Sequence, residues 1–385
     1  MKELSKVVES IRPSGIRKFF DIVLEMKDAI SLGVGEPDFD TPWPIREEGI
    51  YSLERGKTFY SSNAGLIELR KEISKYTDKL IGVKYDPEKE VIVTVGGSEG
   101  IDIAVRTLIN SGDEVIIPKP CFVCYEPICQ MAGATIKSIE LKEKDEFKLT
   151  PELLKKAITK QTKLLFLSFP NNPTGAVMTY DELKPIADIC IENDIYVISD
   201  EIYAELSYGN KHASISQLPG MRERTIIING FSKAYAMTGW RLGYTLAPEN
   251  ITENMLKIHQ YAIMCAPTNS QYAAVVALKE CYNDVKKMSR EYNIRRQYLL
   301  NRFKKMGIEC FNALGAFYLF PSIKKFNMSS EEFATKLLYS KKIAVIPGGA
   351  FGECGEGYIR ISYAYSLEDL KIAMDRIEEF IEELK

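Results

Sequence analysis

Short apolar runs alternate with helical patterns through the middle of this chain. Glu90–Val95, Glu114–Pro118, Lys163–Ser168, Ile195–Ser199, Thr225–Asn229 and Leu242–Leu246 are brief, and most are rich in β-branched residues. They do not alternate strictly between apolar and polar, which is how strands covered on both faces read. Helical patterns separate them, over Ser98–Ile109, a stretch reaching Met131, and Asp181–Asn193. The alternation predicts an α/β fold with a largely parallel sheet between helices. Past residue 250 the pattern changes. Ile251–Tyr261, Ser270–Cys281 and Tyr282–Lys305 read as helices. A small α+β unit follows, with strands in Gly315–Phe320, Ile343–Ile346 and Tyr358–Ser362 and a helix from Leu367. We expect a large α/β domain over 46–283 and a smaller α+β domain built from 1–45 and 284–385. No repeat, low-complexity tract or flexible linker separates them, so the two should pack closely.

Composition narrows the classes. The 385 residues are 45% apolar and 27% charged, with a net charge of −3. That is ordinary for a globular protein with sizeable cores. No basic excess points to nucleic acid. No apolar run approaches the ~18 residues that cross a bilayer. Met1–Val23 carries charges throughout and lacks an apolar h-region, which argues against a secretion signal. The eight cysteines include a cluster at Cys121, Cys124 and Cys129, and the two histidines lie far apart. The cluster is not the doubled arrangement of a zinc ribbon, so unpaired thiols in a reducing cytoplasm are expected, with no metal site.

Candidate chemistry collects at predicted strand ends. Lys233 follows Ser232 just past Thr225–Asn229, and Arg241 lies eight positions on. A lysine held there can form an imine with an aldehyde if its amine is kept unprotonated by burial or nearby positive charge. Ser232 and Arg241 can hold a phosphate, the arginine through two donors. Pyridoxal phosphate (PLP) presents both groups. Asp200 ends Ile195–Ser199, the edge where open α/β sheets take ligands. A buried carboxylate there needs a cation, which a protonated pyridine nitrogen supplies. Tyr203 can reach the phenolic oxygen of such a ring, and Asn172, in the turn Pro170–Gly175, can donate its amide to that oxygen or to a carboxylate. Gly97, Ser98 and Glu99 open a helix after a strand, where free N–H groups suit a phosphate. Phe122 is placed at the start of the helix after Glu114–Pro118, where it can stack on a ring. Arg360 is a charge in an apolar strand and needs an anion. Taken singly, each has a plain structural reading as a cap, turn, core aromatic or ion pair.

Together these residues resemble the PLP-dependent aminotransferases of fold type I, class I/II, in the branch with the aspartate and aromatic aminotransferases. The motifs run over nearly the whole chain. They are Gly33–Pro42, Tyr60–Gly65, Asn171–Gly175, Ser199–Tyr203, Gly230–Gly243, Gly315–Tyr318 and Tyr358–Ala364. The resemblance implies a large domain with a mostly parallel seven-stranded sheet between helices, plus a smaller α+β domain. It also implies roles. Lys233 holds the cofactor and then moves the proton. Asp200 pairs with the pyridine nitrogen. Tyr203 and Asn172 contact the ring oxygen. Gly97, Ser98, Glu99, Ser232 and Arg241 surround the phosphate, the first three mainly through backbone. Arg360 grips the substrate α-carboxylate with Asn172 and the Gly35 backbone. Tyr60 reaches the phosphate in the neighbouring subunit, which implies a homodimer with shared sites. Two positions depart from many relatives: Phe122 stands where tryptophan is frequent, and Gly230 where some carry a hydroxyl.

The implied reaction is ping-pong transfer of an amino group from an L-amino acid to a 2-oxo acid, with 2-oxoglutarate as acceptor. A PLP-dependent C–S β-lyase is the alternative on the same fold, and a non-catalytic effector domain of a transcription regulator is a more distant one. Side-chain preference is open among aromatic, aspartate and broad. Relatives similar to this chain over Ser14–Phe20 accept aromatic amino acids, aspartate or acetylated diaminopimelate, and Tyr60, Phe122, Phe19 and Phe20 lean the preference towards aromatic or broad.

Overall fold

The computed structural model describes residues 2–11, 13, 26 and 28–384. The stretch 14–20, with Phe19 and Phe20, lies outside the described residues. Twelve strands are described. They are β1 (Ile30–Ser31), β2 (Val91–Thr94), β3 (Glu114–Lys119), β4 (Thr135–Glu140), β5 (Thr162–Ser168), β6 (Tyr196–Asp200), β7 (Thr225–Gly230), β8 (Gly243–Leu246), β9 (Tyr318–Leu319), β10 (Ile343–Ala344), β11 (Ile346–Pro347) and β12 (Ile359–Ser362).

Seven of them form the central sheet, in the order β2-β8-β7-β6-β5-β3-β4. β8 runs antiparallel to both its neighbours, and the remaining pairings are parallel. The apolar runs read from the sequence are buried because both faces are covered. Along β3, Val115 and Ile117 enter one core and Ile116 enters another. Along β7, Ile226 and Ile228 face one side and Ile227 the other. This is the period-2 geometry of a strand with two apolar faces.

The smaller sheets complete the frame. β11, β12 and β9 pair antiparallel, and β1 pairs with β10 in parallel. β1 thereby ties the N-terminal segment to the C-terminal unit, and Ser362 N–H donates to the Leu32 carbonyl at 2.8 Å. The long helix Tyr282–Lys305 follows the last central strand by way of two shorter helices, and the buried residues of the helix Leu367–Glu383 join a core that also takes in Ile116, Leu165 and Val197 of the central sheet.

Several boundaries differ from the sequence reading. β4 was not expected. It is one of the two edge strands, half of its residues are exposed, and TIKSIE has few apolar residues to mark it. The helix predicted from Ser98 begins at Gly96. Phe122 does not open the next helix, which starts at Tyr125; the loop Pro120–Cys124 intervenes. Ile343–Ile346 splits into β10 and β11, which belong to different sheets.

Candidate active site

The predicted residues converge at the carboxyl edge of the parallel strands. Asp200 is the last residue of β6, and Ser168 the last of β5. Ser232 and Lys233 lie two and three residues past the end of β7. The helix Gly96–Leu108 starts two residues after β2. Arg360 is carried in by β12.

The Lys233 Nζ donates to the Gly35 carbonyl at 2.6 Å. It lies 6.0 Å from the centre of the Tyr203 ring and 5.8 Å from that of Phe317. Burial pulls its pKa down to about 8; Glu36 opposes this, and Arg360 and Arg241 add to it. A half-buried lysine among apolar rings and two guanidinium groups therefore holds a free amine closer to neutral pH than lysine ordinarily does.

Asp200 is buried. Its Oδ2 accepts from the Tyr125 hydroxyl at 2.6 Å, and its Oδ1 from the Ile202 N–H at 3.2 Å. Burial raises its pKa, and the Tyr125 hydrogen bond pulls the other way. Among the described residues it forms no salt bridge. The Ser168 hydroxyl lies 3.0 Å from that of Tyr125 and, with the Tyr125 proton given to Asp200, donates to its oxygen.

Arg360 is buried between two rings, 4.4 Å from the centre of Tyr318 and 4.9 Å from that of Phe351. Nη1 donates to Asn172 Oδ1 at 2.9 Å and Nη2 to the Gly33 carbonyl at 2.5 Å. Its Nε is buried with no partner among the described residues. Asn172 has given its oxygen to Arg360, so its amide N–H groups are what it can offer a ligand. The Tyr203 hydroxyl lies 2.8 Å from that of Tyr318. Burial raises the Tyr203 pKa well above its ordinary value, so the phenol stays protonated.

A second cluster surrounds the start of the helix Gly96–Leu108. Arg241 has φ 52° and donates from Nη1 to the Thr238 carbonyl at 3.1 Å. Its guanidinium lies against Gly96, where an added Cβ would be 2.6 Å from Nη2. Gly96 has φ +77°. Ser232 is buried. Gly97, Ser98 and Glu99 form the first helical turn. The Glu99 carboxylate turns away, accepting from the Val95 N–H and pairing with His259 Nδ1, both at 2.5 Å. Only the Glu99 backbone is left to face a ligand. Phe122 stands edge-on to Tyr125 at 5.8 Å between ring centres. Tyr60 lies outside this buried group and is 81% exposed.

Two residues of the site were not read from the sequence. Tyr125 holds Asp200, and Tyr318 meets both Tyr203 and Arg360. Both sit in apolar stretches, where a tyrosine reads as core packing. Only their position at the sheet edge sets Tyr125 apart, and Tyr318 had been noted only as part of Gly315–Tyr318.

Several groups here lack the partner their charge calls for. Asp200 is a buried carboxylate held by neutral donors alone, Arg360 has an orphaned Nε, and Lys233 has only a carbonyl. Buried charge left in this state costs several kcal/mol, roughly, unless a ligand completes it. PLP fits the set. A protonated ring nitrogen suits Asp200, an aldehyde suits Lys233, and a phosphate suits Arg241, Ser232 and the free N–H groups of the helix start.

Comparison with known proteins agrees with this geometry. Residues 27–377 match the family described as aminotransferase class I and II. The chain is 45% identical to an aspartate aminotransferase of Pyrococcus abyssi, over 99% of each chain. It is 44% identical to the aromatic-amino-acid aminotransferase 2 of Thermococcus litoralis, again over 99% of each. It superposes on the crystal structure of Pyrococcus protein-A1 with a TM-score of 0.97 at 44% identity, covering 99% of both.

Proposed function

The chain belongs to the class I and II aminotransferases, PLP-dependent enzymes that pass an amino group from an amino acid to a 2-oxo acid, and from that premise we propose how its own residues do so and which donors it takes. The observation that carries the reading is the convergence of one amine of lowered pKa, one unpaired buried carboxylate and two guanidinium groups on a single sheet edge.

When bound, PLP supplies an aldehyde that condenses with amines and a ring that accepts electron density. Asp200 holds the proton on the ring nitrogen, and Tyr125 fixes the carboxylate for that task. Tyr203 and Asn172 donate to the ring oxygen. Arg241, Ser232 and the backbone of Gly97, Ser98 and Glu99 hold the phosphate. Phe122 packs on the ring. Arg360 binds the substrate α-carboxylate and is already aimed by Asn172, Gly33 and the two flanking rings, with Gly35 alongside. Lys233, unprotonated above about pH 8 in the free site, takes the α-proton and returns it. Such a positioned base contributes roughly 10²–10⁴ in rate.

We further propose that the donors are aromatic or broad in side chain and that 2-oxoglutarate is the acceptor. A cleft beside the site is lined by Phe122 and Phe351. Its lysine, Lys119, is paired with Glu126 at 2.5 Å, which leaves that cation less available to a second carboxylate. The names of the Pyrococcus abyssi and Thermococcus litoralis relatives span aspartate and aromatic donors. The working unit in this proposal is a homodimer. Phe59, Tyr60, Trp43 and Tyr261 are large aromatic side chains left 55–88% exposed, as residues that a second copy would cover. The eight free thiols suit a cytoplasmic setting. Among the described residues no helix is long and apolar enough to cross a membrane.

The test mixes the PLP-loaded protein with single amino acids, without oxo acid, and follows the cofactor absorbance. Tyrosine and phenylalanine should convert it at least as fast as aspartate. Conversion by aspartate or glutamate alone, or pyruvate released from cystathionine, overturns the reading.

A further inference from the structure

Tyr318 touches three parts of the site at once. Its hydroxyl is 2.8 Å from the Tyr203 hydroxyl. Its ring lies under the Arg360 guanidinium at 4.4 Å. The same hydroxyl presses on the Gly35 backbone so closely that a Cβ at Gly35 would sit 2.1 Å from it. Gly35 in turn holds Lys233 through its carbonyl. The side chain is 1% exposed.

The two phenols share one line but carry two protons. Only one proton can lie between the oxygens. If Tyr203 donated to Tyr318, it would have none left to offer a ligand. Neither hydroxyl has another hydrogen-bond acceptor among the described residues, so the ring oxygen assigned to Tyr203 decides the direction: it takes the Tyr203 proton and leaves Tyr318 as the donor between the two. With Tyr318 donating, the lone pair of Tyr203 is filled and its own proton is free to turn into the site. A phenol that accepts one hydrogen bond also donates a stronger one, because the bonds polarise each other.

We propose that Tyr318 is a positioning residue: it donates to Tyr203 so that the Tyr203 proton is presented to the ring oxygen of the cofactor, while its ring supports the Arg360 guanidinium. The proposal rests on the roles given above to Tyr203 and Arg360. It links the carboxylate-binding arginine to the ring-oxygen donor through one side chain, with Gly35 wedged against its hydroxyl. Glycine is needed there for close approach.

The test uses the loaded enzyme with Tyr318→Phe, Tyr318→Leu, Tyr203→Phe and the double Phe variant. The first readout is the pH midpoint of the absorbance change of the bound cofactor, which a merely structural role does not move. Weakening a donor to the ring oxygen makes the bound group keep its proton to higher pH. Tyr318→Phe should therefore raise the midpoint by about 0.7 unit, the size of one neutral hydrogen bond. It should lower kcat about fivefold with KM nearly unchanged, because the ring under Arg360 remains. Tyr318→Leu removes the ring as well and should also raise KM about tenfold. In the Tyr203→Phe background, Tyr318→Phe should add no further shift. A Tyr318→Phe midpoint equal to that of the parent, while Tyr203→Phe moves it, overturns the proposal alone. A full additional shift in the double variant overturns it too. If Tyr203→Phe leaves the midpoint in place, the role of Tyr203 fails and the proposal falls with it.

Discussion

A single lysine shows how surroundings set chemistry. Free in water, the Lys233 amine would be protonated up to about its ordinary pKa of 10.5; in the fold, burial brings this down to about 8. The shift has a consequence for stability. Between those two pH values the unfolded chain holds a proton that the folded chain has released. Stability from this group therefore rises with pH across that window. Below it, both states are protonated and the fold bears the full cost of confining an ammonium. Lys233→Met removes that cost. In cofactor-free protein its melting temperature should exceed that of the parent near neutral pH. The gap should narrow as pH climbs from about 8 to 10.5. Scanning calorimetry at several pH values measures it, and a gap that is constant or widens would show that the amine is not strained by burial. The same residue that weakens the fold is the one the proposed chemistry needs, a trade often seen at functional sites.

At the scale of elements, the start of the helix Gly96–Leu108 is the part of the fold to which the proposal gives the phosphate. Gly96 has a positive φ and sits against the end of Arg241. Alanine there costs roughly 1–2 kcal/mol of left-handed backbone strain. It also drives the guanidinium out of place, since the flexible arginine yields before the backbone does. Gly96→Ala should weaken PLP binding about tenfold, the equivalent of about 1.4 kcal/mol. Equilibrium dialysis gives the affinity, and urea unfolding of cofactor-free protein gives the strain. Affinity kept while stability falls would mean that Arg241 does not bind the phosphate. The strands that frame this site were legible because a run buried on both faces is apolar throughout, as in β5 and β7. β4 was not, because its residues are half exposed and carry little apolar signal, whereas β2 at the opposite edge is wholly buried and apolar. Single residues followed the same division. Lys233, Asp200 and Arg360 stood out as charges beside or within apolar strands, which sequence alone displays. Tyr125 and Tyr318 did not, because a buried tyrosine holding a carboxylate and one filling a core are spelled alike. Phe122 was placed on a helix that begins three residues later, since Pro120 and the following loop leave no clear start signal.

The whole molecule raises the question of which chain completes which site. Tyr60 is 81% exposed, while Arg241 lies against Gly96 at the helix start that would hold the phosphate. If two copies pair through this surface, each Tyr60 serves the site of its partner. Isologous pairing then gives two equivalent composite sites. Co-expression of differently tagged Lys233→Ala and Tyr60→Ala chains separates the possibilities. The Lys233→Ala homodimer should have lost turnover by roughly 10²–10⁴, and the Tyr60→Ala homodimer should bind PLP weakly. In the mixed dimer, the site that keeps Lys233 receives an intact Tyr60 from the other chain. The second site lacks both. Random pairing makes about half the dimers mixed, each with one whole site, so the preparation should recover about a quarter of the parent activity. If Tyr60 instead served its own chain, every site in the mixed dimer would lack one of the two residues. Mixing would then restore nothing. Recovery in the purified mixed dimer thus depends on the geometry of the pair rather than on the strength of either residue.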